Sequence, residues 1–410
     1  MQSERRIGAR VGTLIVATSG IQFANGFFGT FIALRVAFED FGTTMTSLVL
    51  SSYFAGFTVS AFFSGRIIER FGHIRVYAAF AGMAVAATAA MPLLVEPLSW
   101  IILRAIIGFG CAGLFVTTES WLNAKVRPSE RGYVFSIYMV GTFIAIALGQ
   151  LLIGRTEIET ATPFNIIVVL FAVALVLVST TSAEQPQPTT TEHLPNGQLL
   201  RAAPVAVIGA ALSGLITGAF YALVPVWMQD EGIERATIGL VMLAAVLGGL
   251  AFQIPVGWLS DRFDRRIVLI VLSIGLAGAA VALTLLPPSL MVILPVAVLF
   301  GGLMSTVYPV CVAHAHDRMP ADRVVAVSGR LILASGCGSV LGPLIGMGLM
   351  RRSGIDSVLY LIAAAAFLLA LLAASRVLIS AAPPHLARTF SILSPQATPL
   401  AHDPGGDSRE

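Results

Sequence analysis

The stretch Gly65-Arg66-Ile67-Ile68-Glu69-Arg70-Phe71-Gly72-His73-Ile74-Arg75 recurs as Gly257-Trp258-Leu259-Ser260-Asp261-Arg262-Phe263-Asp264-Arg265-Arg266. Each copy follows a long apolar run, carries an acid four residues after its Gly, then Arg-Phe, then further basic residues. The offset is 192 positions, 257 − 65. A second pair, Arg127-Pro128-Ser129-Glu130-Arg131 and Met319-Pro320-Ala321-Asp322-Arg323, repeats the same offset without a gap. Two unrelated signals at one spacing make the chain an internal duplication.

Composition fixes the solvent of that duplication. The 410 residues are 56% hydrophobic and 11% charged, with mean hydropathy +0.86. Soluble chains carry roughly 25% charged residues. The apolar residues here come in runs of about 20, the length that crosses a ~30 Å hydrocarbon core. The runs fall near 11–34, 46–68, 76–95, 98–122, 132–154, 162–180, 202–228, 237–259, 267–286, 290–314, 324–349 and 356–379. They predict an all-α membrane protein with twelve transmembrane helices in two pseudo-symmetric halves of six. A barrel is excluded, because a spanning strand needs only ~9–11 alternating residues and these runs neither alternate nor stop there. The first run, behind Arg5, Arg6 and Arg10, reads as an uncleaved helix rather than a signal peptide.

Lys and Arg set the expected orientation. With both termini cytoplasmic, the inner loops hold sixteen basic residues and the outer loops five: Arg35, Arg155, Arg235, Arg351 and Arg352. Basic loops stay inside. The expected domains are a six-helix half at 1–181, a cytoplasmic linker at 182–200, a second half at 201–380 and a disordered tail at 381–410. The linker carries Gln185-Pro186-Gln187-Pro188 and a Thr run without apolar periodicity. Net charge +3 gives no reason to expect a nucleic-acid partner. No P-loop, dinucleotide fingerprint, zinc spacing or nucleophile–base pair appears, so neither a cofactor, a metal nor an enzymatic activity is expected. Cys111, Cys311 and Cys337 lie within apolar runs and are expected to be unpaired.

Charge inside a membrane needs a reason, at ~2.5 kcal/mol or more per group at a helix centre. Arg104 and Glu119 both lie on the fourth run, about 22 Å apart at 1.5 Å per residue, too far to pair. Two readings stay open. Either Arg104 snorkels outward and Glu119 meets loop arginines such as Arg70 or Arg131, or one or both line a pathway and hold a proton or a charged solute group. Gln22, Asn25, Gln150, Tyr221, Gln253 and Tyr308 are further lining candidates, each with a helix–helix hydrogen bond as its alternative role.

With twelve runs and duplicated loops in hand, the chain resembles the major facilitator superfamily over about 8–380. The loop after the second run looks like that family's Gly-x-Leu-Ala-Asp-Arg-x-Gly-Arg-Arg/Lys motif. Gly65, Arg70 and Gly72 match, with Glu69 for the Asp and His73 where a base is usual. In the second copy Gly257, Leu259, Asp261, Arg262, Arg265 and Arg266 match, with Asp264 for the Gly. Arg104-x-x-x-Gly108-x-Gly110 resembles the motif the family associates with proton coupling, with Ile107 for its usual Gln. The Gly149-Gln150-Leu151-Leu152-Ile153-Gly154 stretch lacks the Pro of the exporters' motif. Glu119-Ser120-Trp121-Leu122-Asn123 looks like a bacterial inner-membrane branch of poorly defined substrate.

The resemblance implies a monomeric, proton-coupled secondary transporter of the bacterial inner membrane. It would move a small organic solute by alternating access, with import and efflux both open. Gly65, Glu69, Arg70, Gly72, Gly257, Asp261, Arg262 and Arg265 are expected to latch the two halves when the inner side shuts, an acid capping a helix N-terminus while its Arg holds another acid. A membrane sensor that keeps the fold without transporting is the alternative, and solute flux separates the two.

Overall fold

The apolar runs form helices whose ends are set by proline, glycine and charge. The structure, a computed structural model, describes residues 2–127, 130–180, 198–287, 289–320 and 323–379. Its spanning helices are α1 (Gln2–Phe38), α2 (Thr43–Phe71), α3 (His73–Ala90), α4 (Pro97–Lys125), α5 (Arg131–Gly149, continued by a 3-10 segment Gln150–Arg155) and α6 (Thr162–Ser179). The second set is α7 (Pro204–Asp230), α8 (Arg235–Arg262), α9 (Arg265–Leu285), α10 (Leu290–Asp317), α11 (Val324–Ser353) and α12 (Ser357–Ile379), preceded by one short helix, Gln198–Ala202. Among the described residues twelve helices are long and apolar enough to cross a membrane. The expected tail, all but the last three residues of the expected linker, and Pro128, Ser129, Ala321 and Asp322 of the second repeat lie outside the described residues.

The first helix starts at Gln2 rather than near 11, and α3 ends at Ala90 rather than near 95. Met91 still has helical backbone, φ −57° and ψ −47°, but Pro92 after it has no N–H to continue the ladder. The buried Trp100 at the start of α4 then donates from Nε1 to the Met91 carbonyl at 3.0 Å, satisfying a carbonyl the helix end leaves open.

Duplication is visible in the packing. In the first set α2 packs on α4, α3 on α4 and α6, and α1 on α5 and α6. Six helices on, α8 packs on α10, α9 on α10 and α12, and α7 on α11 and α12. Lipid offers helices no hydrophobic reason to associate, so close backbone approach carries the packing. At Gly26 of α1 a Cβ would stand 2.8 Å from the Cα of Ile146 on α5. At Gly218 of α7, offset by the same 192 positions, it would stand 2.7 Å from the Cα of Ser339 on α11. Both contacts are forbidden to any larger residue. Apolar side chains such as Val176, Val271 and Leu378 stay exposed on the outside of the bundle, where a bilayer would cover them.

The two sets meet through α1 with α7, α2 with α11, and α5 with α8. These contacts run from mid-bundle, where Phe143 reaches Gly249 and Thr58 reaches Gly336, to the end carrying the α5–α6 and α7–α8 loops. There Gly154 abuts Ala236, and Gly239 abuts Gln150 and Ile153. Ser51 donates to the Val340 carbonyl at 2.9 Å, and Arg235 pairs with Glu159 at 2.6 Å. The Arg235 hydrogen bond holds the Glu159 carboxyl below its ordinary range. That ion pair therefore contributes above the ordinary Glu value of ~4.3 and is lost as pH falls through the lower folded value. Exposed pairs contribute only ~0.2–1 kcal/mol, so backbone packing at Gly154 and Gly239 dominates this closure. Towards the opposite end, α5 and α8 carry Tyr133 and Ile254, 73% and 74% exposed.

Candidate functional site

Between the two sets lies a cavity enclosing about 1430 Å³ of empty space, its mouth included. Its first wall is aromatic and cationic: Asn25 and Phe28 from α1, Tyr53, Phe54 and Phe57 from α2, and Arg104 from α4. Its second wall is hydroxylated: Ser213, Thr217 and Tyr221 from α7, Ser305 and Tyr308 from α10, Ser335 and Ser339 from α11. Spacing explains the second wall, because residues four apart on a helix share a face.

Arg104 does not snorkel. It is 4% exposed, and its guanidinium carbon sits 4.9 Å from the Phe28 ring centre and 4.7 Å from that of Tyr53. Each ring offers such a cation ~0.5–2 kcal/mol, enough together to offset much of a burial cost of ~2.5–3.5 kcal/mol. Its five N–H donors are another matter: Arg104 makes no hydrogen bond or ion pair with any described residue, and its buried Nε has no acceptor. Asn25 and Tyr53 are less isolated, lying close enough to interact with each other and with Cys111. Asn25 Oδ1 accepts from the Cys111 thiol at 3.5 Å, while Asn25 Nδ2 and the Tyr53 hydroxyl are buried without a hydrogen bond of ordinary length.

Of the other expected residues, Gln150, Tyr221 and Tyr308 also line the cavity. Gln150 joins α1 to α5, accepting from Thr30 at 2.7 Å and donating to the Gly26 carbonyl at 2.7 Å. Gln22 and Gln253 are buried away from the lining, the latter donating to the Ser305 carbonyl at 3.3 Å. Glu119 is also outside it: fully buried among the first six helices, it accepts from the Tyr138 hydroxyl at 3.4 Å. Arg330, inside α11 and half-buried, is a further intramembrane cation that sequence reading passed over.

The duplicated loops have unlike geometries. Between α2 and α3, Gly72 has φ +80°, a backbone that side chains rarely adopt. Glu69 and Arg70 are exposed, Arg70 lying 5.2 Å over the Phe71 ring, while His73 meets Ser120 of α4 at 3.0 Å. Gly65 is open to further bulk. In the second copy Asp264, at the Gly72 position, has φ −55° and accepts from the Arg266 N–H as the cap of α9. Conformation thus explains why one copy needs glycine and the other takes aspartate. Gly257 is buried and Arg262 lies 4.2 Å over Trp258. Arg265 bridges Asp317 at 2.9 Å and Asp261 at 3.5 Å. Asp264 is the acid that caps α9 in this structure.

Burial would raise the Asp264 carboxyl, but hydrogen bonds from Arg266 outweigh it and hold the group below its ordinary value. Its contribution is therefore complete above the free Asp value of ~3.9 and is lost as pH falls through the depressed folded value. Arg266 is 2% exposed and also donates to the Arg376 carbonyl of α12 at 2.8 Å. Asp264→Ala removes both a cap and a charge partner of Arg266, at a cost on the order of 2 kcal/mol or more. A lower thermal midpoint near neutral pH, with the difference from the native chain shrinking below pH ~4, is the expected result.

A cavity walled by both halves of a duplicated twelve-helix bundle is the architecture of a membrane carrier, and sequence comparison agrees. The chain belongs to the Major Facilitator Superfamily, whose profile matches residues 14–234 and 206–396. It is 29% identical over 360 residues to an uncharacterised MFS-type transporter, YcaD, of Escherichia fergusonii, covering 87% of this chain and 91% of that one. Its fold is similar to a mutant form of the nucleoside transporter NupG, with TM-score 0.74 and 12% identity over 88% of this chain and 99% of that one. A bacterial homologue of the human lysosomal transporter Spinster, in an inward-facing and unoccupied conformation, superposes with TM-score 0.66 and 13% identity over 93% and 97%. The protein is a multi-pass membrane transporter.

Proposed function

We propose that the protein is a secondary carrier moving a small organic solute by alternating access, driven by protons. The observation that supports this reading is the cavity, walled by both halves, with the cross-half contacts concentrated towards one end. The rocking units are 1–181 and 201–380, joined by the linker 182–200 and followed by the tail 381–410. Both termini face the cytoplasm of a bacterial inner membrane, so the closed end is periplasmic and the cavity faces inward. The carrier works as a monomer. Gln150, Tyr221 and Tyr308 contact solute with Arg104 and Asn25; Gln22 and Gln253 support the lining, and Glu119 holds the proton.

The loop residues Gly65, Glu69, Arg70, Gly72, Gly257, Asp261, Arg262 and Arg265 form their latch in the opposite state, when the inner end shuts. Exposed Glu69 and Arg70 fit a latch that is disengaged in the present one. Flux into proteoliposomes tests the whole reading: solute uptake dependent on the protein and on a pH gradient supports it, and its absence across a broad solute panel defeats it. In the same assay Asp261→Asn slows exchange without lowering the amount of inserted protein.

Orientation has its own test. In a chain lacking Cys111, Cys311 and Cys337, cysteines at Glu157 and Glu234 should react with an impermeant thiol reagent in intact cells. Cysteines at Arg70 and Glu130 should not. Labelling of the second pair alone would invert the topology.

A further inference from the structure

No charged group among the described lining residues balances Arg104. Among the described lining residues Arg104 is the one charged side chain, and no Asp, Glu, Lys or His stands with it. A guanidinium is a permanent cation at any working pH. It lies over the rings of Phe28 and Tyr53, 4.9 and 4.7 Å away, and makes no hydrogen bond with a described residue. Two further donors, Asn25 Nδ2 and the Tyr53 hydroxyl, are buried on the same wall and make no hydrogen bond of ordinary length, although they lie near each other and Cys111. Buried donors in native proteins are nearly always paired, so three on one wall of a cavity describe the acceptor that belongs there.

We propose that this wall is the anion subsite of the transported solute, and that the solute is an organic monoanion with a carboxylate and a planar or apolar body. This rests on reading the cavity as the solute's site. One cation matches one negative charge, and a planar fork matches the two oxygens of a carboxylate. Phe54 and Phe57 extend the aromatic surface beyond Tyr53 and cover the solute's body. The far wall supplies hydroxyls without charge, such as Ser213, Thr217 and Ser335, which suit neutral polar groups at the solute's other end. A cationic solute would meet Arg104 with like charge at low dielectric and is rejected.

The test uses the full-length protein in detergent at neutral pH with three probes of one shape: naphthalene-2-carboxylate, its neutral amide and the corresponding naphthylmethylamine. Binding is read by calorimetry and by the ligand-induced rise in thermal midpoint. The carboxylate should bind saturably and more tightly than the amide, with the amine weakest. Arg104→Gln should bind it about tenfold to hundredfold more weakly, the loss expected for a charge-assisted pair. Arg104→Lys, which keeps charge and loses the fork, should also weaken it. If Arg104→Gln fails to fold, Asn25→Asp decides: an internal carboxylate beside Arg104 should abolish binding of the carboxylate probe while holding or raising the thermal midpoint of the ligand-free protein. Equal affinity for the carboxylate in the native, Arg104→Gln and Asn25→Asp proteins overturns the proposal, as does preference for the amine or no binding of the carboxylate. Counterflow in proteoliposomes is scored separately. Arginine-dependent binding without counterflow would keep the anion subsite and remove the transport reading; counterflow of the amine alone would do the reverse.

Discussion

Glu119→Gln is expected to abolish uphill accumulation of the solute while leaving downhill exchange largely intact. Among the described spanning segments, Glu119 is the acid more than a turn from a helix end, whereas Glu69, Asp230, Asp261 and Asp317 sit at or next to their helix termini. It is fully buried, and its contact with the Tyr138 hydroxyl ties α4 to α5, a helix that packs against α8 of the other half. A change in its charge thus acts on an element that must move. Glu119 stands outside the cavity lining, so removing its charge leaves the solute's own contacts in place.

One pH unit is 1.36 kcal/mol, which supports about a tenfold concentration ratio for one proton per solute. In the variant that ratio should fall to equilibrium with the solute's own gradient, whichever direction the native carrier pumps. Counterflow, which needs no proton, should continue. Accumulation at the native ratio with native pH dependence would make Glu119 a structural link between α4 and α5. Loss of counterflow along with accumulation would show that the acid is needed for the conformational change itself.

The twelve spans were legible because length and apolarity decide a membrane helix almost alone, and the duplicated loops counted the halves. Helix ends were less so: the Met91 carbonyl left open where α3 stops is satisfied by Trp100, a partner that no local pattern encodes. At the site, Arg104 announced itself by the cost of its charge, but the side it faces is decided by Phe28 and Tyr53, which in sequence are merely apolar residues of other helices. Asn25 and Gln150 stood out as polar residues in apolar runs, and so did Gln22 and Gln253, which face away from the lining. Polarity identifies residues that need partners without saying whether the partner is a helix or a solute. The hydroxyl wall was readable and missed. Ser213 with Thr217, and Ser335 with Ser339, recur at four-residue spacing in α7 and α11, the periodicity of a common face.

Locking the closed end should stop transport outright. The 3-10 segment that ends α5 and the first turn of α8 meet at Gly154 and Ala236, where a Cβ on Gly154 would stand 2.7 Å from the Cβ of Ala236. A disulfide places its Cβ atoms about 3.8 Å apart, so the backbones must part by about 1 Å to accept one, a Cβ on Gly154 also standing 2.6 Å from the Cα of Ala236. In a chain freed of Cys111, Cys311 and Cys337, the Gly154→Cys/Ala236→Cys pair should oxidise readily and lose all counterflow. Reducing agent should restore it, and neither single cysteine should respond to oxidant. Among the described residues the halves meet towards this end through backbone packing, the Ser51–Val340 hydrogen bond and the Arg235–Glu159 ion pair, contacts that an alternating carrier must break in each cycle. A covalent bond across them cannot be broken by the roughly 2.3 kcal/mol per charge that a 100 mV potential supplies. Full counterflow in the oxidised double variant, with the disulfide verified by mass, would mean that these contacts never part and that solute reaches the far side without the two halves rocking.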